Sequence, residues 1–436
     1  MTMAQRSLKV AVIGAGTAGL VTARELQREG HRVVIFEKAA EIGGTWKYNP
    51  EIESDPLGID PNRKIVHSSL YSSLRTNLPR HLMGFSDYPF NVKKNGELNN
   101  FPGHEEVLKF LNNFARDFGI FDLIRFNTEA VRIERENGEE NNQWIVEWRG
   151  NDDDEENKTE VFEAVVICNG HYTQPKVPQL PGIRNWAGKQ IHSHNYRVPE
   201  PYGGQVVVVI GAGPSAYDIS QDLCKVAKQV HLSSRSNDVK ISKLSENVWQ
   251  HSEVEYCYEN GEVGFKDGAL VAADIILYCT GYKYEYPFLK TNGIVRVDDN
   301  RVGPLYKHIF PPQLAPRLSF IGITFHAVIF LMIELQAKWV AHVLSGKTNL
   351  PSQQQMLDDT EQHYRRLEAN GTPKHQSHSL RGIMFEYLDW LSIEAGGEAV
   401  DDNIKHIYEK YIESIASSYP WIGSSFRDLD IHKFIK

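Results

Sequence analysis

The sequence predicts an α/β fold of two units, the smaller inserted in the larger, and three observations carry the expectation. Near the N-terminus an apolar strand, a glycine turn, an amphipathic helix and a second apolar strand follow one another from Val10 to Phe36. The same order returns in QVVVVIGAGPSAYDISQDL, from Gln205 onward. A further buried-strand pattern, Leu318 to Ile323, lies beyond this second copy and reads as the chain's return to the first. Strands alternating with helices build parallel sheets, so each copy is expected to be a Rossmann-like dinucleotide-binding domain. The larger unit is expected to span residues 1–178 and 306–436, and the smaller one 179–305.

In the first unit the run Val10 to Ile13 ends at Gly14, Gly16 and Gly19, and the helix carries Leu20, Val21, Ala23 and Leu26. The three glycines serve a tight turn, close approach of backbone to a pyrophosphate, and close packing of helix on strand. The helix N-terminus offers N–H groups and the positive end of its dipole to phosphate. Glu37, with Lys38 beside it, ends the second strand where a carboxylate can accept bonds from a ribose. Gly43 and Gly44 then let the backbone pass close to a neighbour, while Thr45 and Trp46 add a hydroxyl and a flat surface. They read as a flavin contact or as an aromatic-lidded surface turn.

Residues 50–64 read as a loop, and 67–90 hold too many polar residues in an apolar frame to be simple core. Asn77 precedes Leu78 and Pro79, which disfavours helix there, and taken alone it reads as a turn residue. A helix is predicted from His104 to Phe118, with Val107, Leu108, Leu111, Phe114 and Ala115 on its core stripe. His104 and Glu105 are expected to serve its N-terminus. Strands follow at Glu129–Arg135, where Val131 is expected to contact the cofactor, and at Trp144–Trp148. The acidic loop 150–159 reads as a solvated hairpin connection into VFEAVVICNG, since crowded carboxylates on a flexible loop lack a fixed metal geometry.

Residues 170–182, rich in proline and glycine, read as a connection between domains. In the second unit Gly211, Gly213 and Ala216 take the three glycine places, with Ser215 opening a helix whose buried face is Ala216, Ile219, Leu223 and Val226. Its second strand ends on Ser234, Arg235 and Ser236 instead of an acid. A guanidinium there can clamp a ribose 2′-phosphate, or be an exposed strand-end charge. Unit one therefore suits FAD and unit two NADPH. A strand is predicted from Ala272 to Tyr278, before a Thr280–Gly281 turn where backbone can again approach a cofactor; Tyr282, Tyr284 and Tyr286 read equally well as packing. The last part holds a helix from Val328 to Leu344, stopped by Gly346, and further helices to the C-terminus. Glu334 and Gln336 interrupt its apolar stripe and are expected to be solvated.

With 436 residues, 41% hydrophobic and 24% charged, the chain has the composition of a soluble globular protein. A net charge of −9 leaves no basic footprint for nucleic acid or anionic lipid, so small molecules are the expected partners. Cys168, Cys224, Cys257 and Cys279 form no CxxC, which predicts reduced, mostly buried thiols and no metal site. The first strand begins too early for a signal peptide, and the apolar run Ala327–Ile333 is too short to span a bilayer. A cytoplasmic enzyme, monomer or homodimer, without a membrane segment is expected.

Taken together, the two glycine-rich units, GGTW, TNLP, FSDYPF, HSHNYR and CTGY resemble the flavin-containing monooxygenases, class B flavoprotein monooxygenases. The family fingerprint FxGxxxHxxxY/F is matched by Trp186, Gly188, His192 and Tyr196, with Trp in place of the first Phe. Stretches 56–90, 186–202 and VGPLYKHIFPPQLAPRLSFIG look most like the plant S-oxygenating branch, which includes glucosinolate S-oxygenases and garlic S-allyl-cysteine S-oxygenase. The resemblance implies that NADPH reduces FAD and dioxygen adds at flavin C4a. The resulting hydroperoxide hands its distal oxygen to a thioether, such as an S-alk(en)yl cysteine, giving a sulfoxide and water. It also implies that Asn77 is the active-site asparagine, hydrogen-bonding near flavin and nicotinamide. No triad or metal is then needed, because the cofactor carries the hard chemistry. N-hydroxylation of an amine or amino acid, a reductase without oxygen transfer, and a cofactor-holding protein without turnover stay open as alternatives.

Overall fold

The computed structural model describes residues 6–90, 100–136, 143–150, 156–235 and 241–418. Its first sheet is five-stranded and parallel, in the order Leu318–Phe320, Ala164–Ile167, Lys9–Ile13, Arg32–Phe36 and Ile124–Arg125. The second runs Ser242–Ser245, Val248–His251, Gln229–Ser233, Val206–Ile210, Ile275–Tyr278 and Lys189–His192, antiparallel only at the Ser242–Ser245 edge. The central strands of both, KVAVI and VVVVI, are near-continuous apolar runs because helices or strands cover both faces. Outside the sheets lie α1 (Thr17–Arg28), α2 (His104–Asp117), α3 (Pro214–Leu223), α4 (Ile329–Ser345), α5 (Gln353–Ala369), α6 (Met384–Glu394) and α7 (Asp402–Ser418). Leu318–Phe320 pairs with Ala164–Ile167, so the chain does return to its first sheet. The outgoing and returning passages lie side by side as an antiparallel ribbon, Gln174–Pro175 against Tyr282–Lys283.

Several expectations need correction. The acidic connection ends before residue 159: Lys158–Phe162 closes an antiparallel sheet, and Ala164–Ile167 then joins the parallel one. The break is Glu163, whose carboxylate and N–H both engage the backbone of Lys9. Ala272–Tyr278 is likewise divided, because Asp274 turns to accept the Val206 N–H at 2.7 Å between Leu270–Ala272 and Ile275–Tyr278. Val226 is not on α3, which stops at Leu223; the Val226 carbonyl instead accepts from Gly204 N–H. Of the four thiols, all free, Cys168 and Cys257 are buried and Cys224 and Cys279 half-buried.

The largest correction concerns Glu334 and Gln336, both fully buried. Helix α4 has no solvent face at this point, since α1 and α6 pack on it. Glu334 meets the Arg24 guanidinium of α1 at 2.8 Å and accepts from Ser86 N–H at 2.7 Å. Arg24 is also bound to Glu25 and Asp87 and lies over the rings of Phe85, Phe114 and Phe118. Gln336 accepts from Gly322 N–H and donates to Thr324 and Tyr387. Buried polar groups are tolerable only when partnered in this way.

Candidate functional site

Two crevices of the same construction open at the C-terminal ends of the two parallel sheets, where α/β folds take ligands. In the first, Gly14 N–H donates to Phe36 O and Cys168 N–H to Ile13 O; in the second, Gly211 N–H donates to Ser233 O and Cys279 N–H to Ile210 O. Gly14 and Gly211 have φ of 104° and 136°, which only glycine adopts without strain. A Cβ on either would run into the carbonyl of Cys168 or Cys279. Helices α1 and α3 begin after Gly16 and Gly213, which have no side chain to cap them; α1 keeps its first N–H groups for another acceptor, whereas α3 opens on Pro214, which has no N–H, and its Ala216 N–H donates to Gly213 O at 3.0 Å, leaving the Ser215 N–H.

Around the first crevice most of the expected residues come together. Glu37 accepts from Ala15 N–H and Ala39 N–H, one on each carboxylate oxygen, both at 2.7 Å. Burial raises its pKa, against the pull of those two amides. Gly44 closes onto the turn: a Cβ there would stand 3.0 Å from Gly16 Cα. Thr45 and Trp46 follow in a short 3-10 turn. Lys38 pairs with Glu129 at 2.6 Å. Val131 sits at an irregularity of register in the Thr128–Arg135 strand, between Ala130 opposite Trp148 and Arg132 opposite Glu147. Such a bulge re-aims a side chain. Asn77 is exposed, on an irregular stretch as expected, and its carbonyl accepts from the Tyr411 hydroxyl of α7.

At the second crevice a Cβ on Gly213 would meet no atom within 4 Å, and Ser215 is exposed next to it. Ala216 is buried against the sheet. Ser234 is buried, with its N–H on His251 O at 3.1 Å, whereas Arg235 is exposed at the strand end. Ser236 lies outside the described residues. The Thr280 hydroxyl donates to the Lys176 carbonyl, so it fastens the passage between the units. Among the described residues no group of histidines, cysteines and carboxylates is arranged to hold a metal, and no helix is long and apolar enough to cross a membrane.

A buried network that joins 49–68 to 192–197 is not legible in the sequence. Arg197 donates to the carbonyls of Asn49, Glu51, Ser68, His194 and Tyr196. Burial would raise the pKa of Glu53, but bonds from His194, Val66 N–H and Arg63 hold it below the usual carboxylate range. The HSHNYR motif is the available signal, though its partners lie more than a hundred residues upstream. The fingerprint residues Trp186, His192 and Tyr196 are all buried, and a Cβ on Gly188 would overlap the Trp186 indole.

A family model for flavin-binding monooxygenase-like proteins matches residues 7–254 and 242–400. The chain belongs to this family. It is 50% identical over 402 residues to the flavin-containing monooxygenase FMO GS-OX3 of Arabidopsis thaliana, covering 91% of this chain and 86% of that protein. Identity to FMO GS-OX5 of the same plant is 52% over 397 residues, 89% of this chain and 85% of the relative. Among solved structures it resembles S-allyl-L-cysteine S-oxygenase from Allium sativum, with TM-score 0.92, 49% identity, and coverage of 98% and 96% of the two chains. Tmm from Pelagibacter sp. strain HTCC7211 matches with TM-score 0.80 and 25% identity over 97% and 93%. The protein is thus a flavin monooxygenase of α/β fold. The residues present fit the flavin dinucleotide: the Gly14–Gly19 turn leaves backbone room and free helix N–H groups, and the fixed Glu37 carboxylate lies beyond.

Proposed function

We propose that this enzyme uses NADPH and dioxygen to convert a thioether, an S-alk(en)yl cysteine or a related sulfur metabolite, to its sulfoxide. The observation that carries the reading is the 49% identity, over 98% of the chain, to a solved S-oxygenase of S-allyl-L-cysteine. In the balance, one oxygen atom joins sulfur, the other leaves as water, and NADPH with one proton supplies the electrons. FAD would be held by Gly14, Gly16, Gly19, Glu37 and the Gly44–Trp46 turn, and supplies the activation of dioxygen. Residues 1–178 and 306–436 form the flavin domain in this reading, and 179–305 the nicotinamide domain.

The protein's own part is position and dryness. Arg235 reads the 2′-phosphate, with Ser234 beside it and the uncapped start of α3 for the pyrophosphate. Asn77 presents an amide that donates and accepts at the reacting centre. The four free thiols favour a reducing compartment, the cytosol. The deciding experiment is turnover under ¹⁸O₂ with S-allyl cysteine and a matched amine in competition. Label in the sulfoxide is expected; label only in a hydroxylamine, or NADPH oxidation with no labelled product, would overturn the reading.

A further inference from the structure

We infer that α7 holds Asn77 in place through Tyr411, a positioning residue for oxygen transfer; the inference rests on the role given to Asn77 above. On both sides of Asn77 the backbone is tied to residues 100–104. Thr76 N–H donates to Pro102 O at 2.9 Å, Arg80 N–H to Asn100 O at 2.7 Å, and His104 N–H to Leu74 O at 3.2 Å. Among the described residues the Asn77 carbonyl has no local donor of this kind. Pro79, two residues on, has no N–H, and the Arg80 N–H that a β-turn would have used is committed to Asn100. The Tyr411 hydroxyl, 334 residues away, takes that place.

Packing brings the helix to this point. The Tyr411 and Phe101 rings meet at 6.1 Å, and Leu78, Tyr408 and Ile415 close around them. Tyr408 stands edge-on to Phe385 of α6, which roots α7 in the flavin unit. Helix α7 begins at Asp402, beyond residue 400 where the family match ends. A segment outside the matched region therefore sets the carbonyl, and with it the Cα, from which the Asn77 amide projects. Misplacement of a reacting group by a fraction of an ångström is enough to lower productive turnover.

The test is Tyr411→Phe in the FAD-loaded enzyme, which removes the hydroxyl and keeps the ring. Amide hydrogen exchange in peptides covering 74–80 should quicken about tenfold, as loss of one hydrogen bond implies. Hydrogen peroxide released per NADPH should rise about threefold, with the KM for NADPH within about twofold of wild type. Tyr408→Phe, which leaves that hydroxyl alone, should match wild type in both readouts. Unchanged exchange in Tyr411→Phe, or equal loosening in Tyr408→Phe, overturns the clamp. Asn77→Ala measured alongside separates the two ideas. If it wastes NADPH while Tyr411→Phe stays coupled, the clamp fails and the role of Asn77 stands. If it stays coupled, that role fails and the exchange data still judge the clamp.

Discussion

The two glycine units share hydrogen bonds almost atom for atom, yet they are embedded differently. Helix α1 has 12 residues, and its Arg24 lies in a buried ion network with Glu25 and Glu334; α3 has 10, and its polar ties, such as Tyr71 to Asp218 at 2.9 Å, are only part-buried. The third glycine place is Gly19 in one, where a Cβ would overlap the Gly14 carbonyl, and Ala216 in the other. One second strand ends on a carboxylate bonded to backbone, the other on an exposed guanidinium. In the proposed reading the shared part is a phosphate seat, and the differing part sets how firmly it is held and which nucleotide it suits.

The largest expected effect comes from Glu334→Ala, which leaves Arg24 short of a buried partner and should cost about 3–5 kcal/mol in urea denaturation. Asp218→Ala in the second unit should cost about 1 kcal/mol. Similar losses would mean that the two helices are equally embedded. Acid should act on both units alike, because each carries a buried histidine pair: His308 with His378 at 3.1 Å, and His231 with His251 at 2.9 Å. Burial lowers His378 to about 3 and His231 to about 4. The unfolded chain binds protons first, so stability is full above about pH 6.5 and falls as pH drops toward those values. Each imidazole should take about 2 kcal/mol between pH 7.5 and 5, checked by denaturation at both, with a flatter slope in His378→Gln and in His231→Gln.

Gly19→Ala should destabilise by about 2 kcal/mol and lose FAD, read as flavin absorbance per protein, while the reverse change Ala216→Gly costs about 1 kcal/mol or less. Arg235→Ala should raise the KM for NADPH about tenfold and leave that for NADH unchanged. Equal shifts for both nucleotides would remove the distinction between the two strand ends.

How much of this is legible from sequence depends on the range of the interaction. The turns at Gly14 and Gly211 are local geometry, written in a few consecutive residues. Glu334 and Gln336 look like a solvent face because polar residues in a helical stripe usually are one; their burial depends on α1 and α6, distant in the chain. The partner of Lys38, Glu129, lies ninety-one residues on, and nothing in the residues around Lys38 announces it. Arg197 and Tyr411 are silent for the same reason, since their partners are carbonyl oxygens, which no residue type announces.

The ribbon in which Pro175 faces Tyr282 and Gln174 faces Lys283 makes the intervening hundred or so residues a cassette. Cutting them out would leave two antiparallel ends that a two-residue turn can join. If this cassette delivers the electrons, as proposed, another module could be spliced in at the same point without disturbing the order of the five-stranded sheet. The carbonyl cradle around Arg197 would be left open by such a splice, and redesign of the graft would have to begin there.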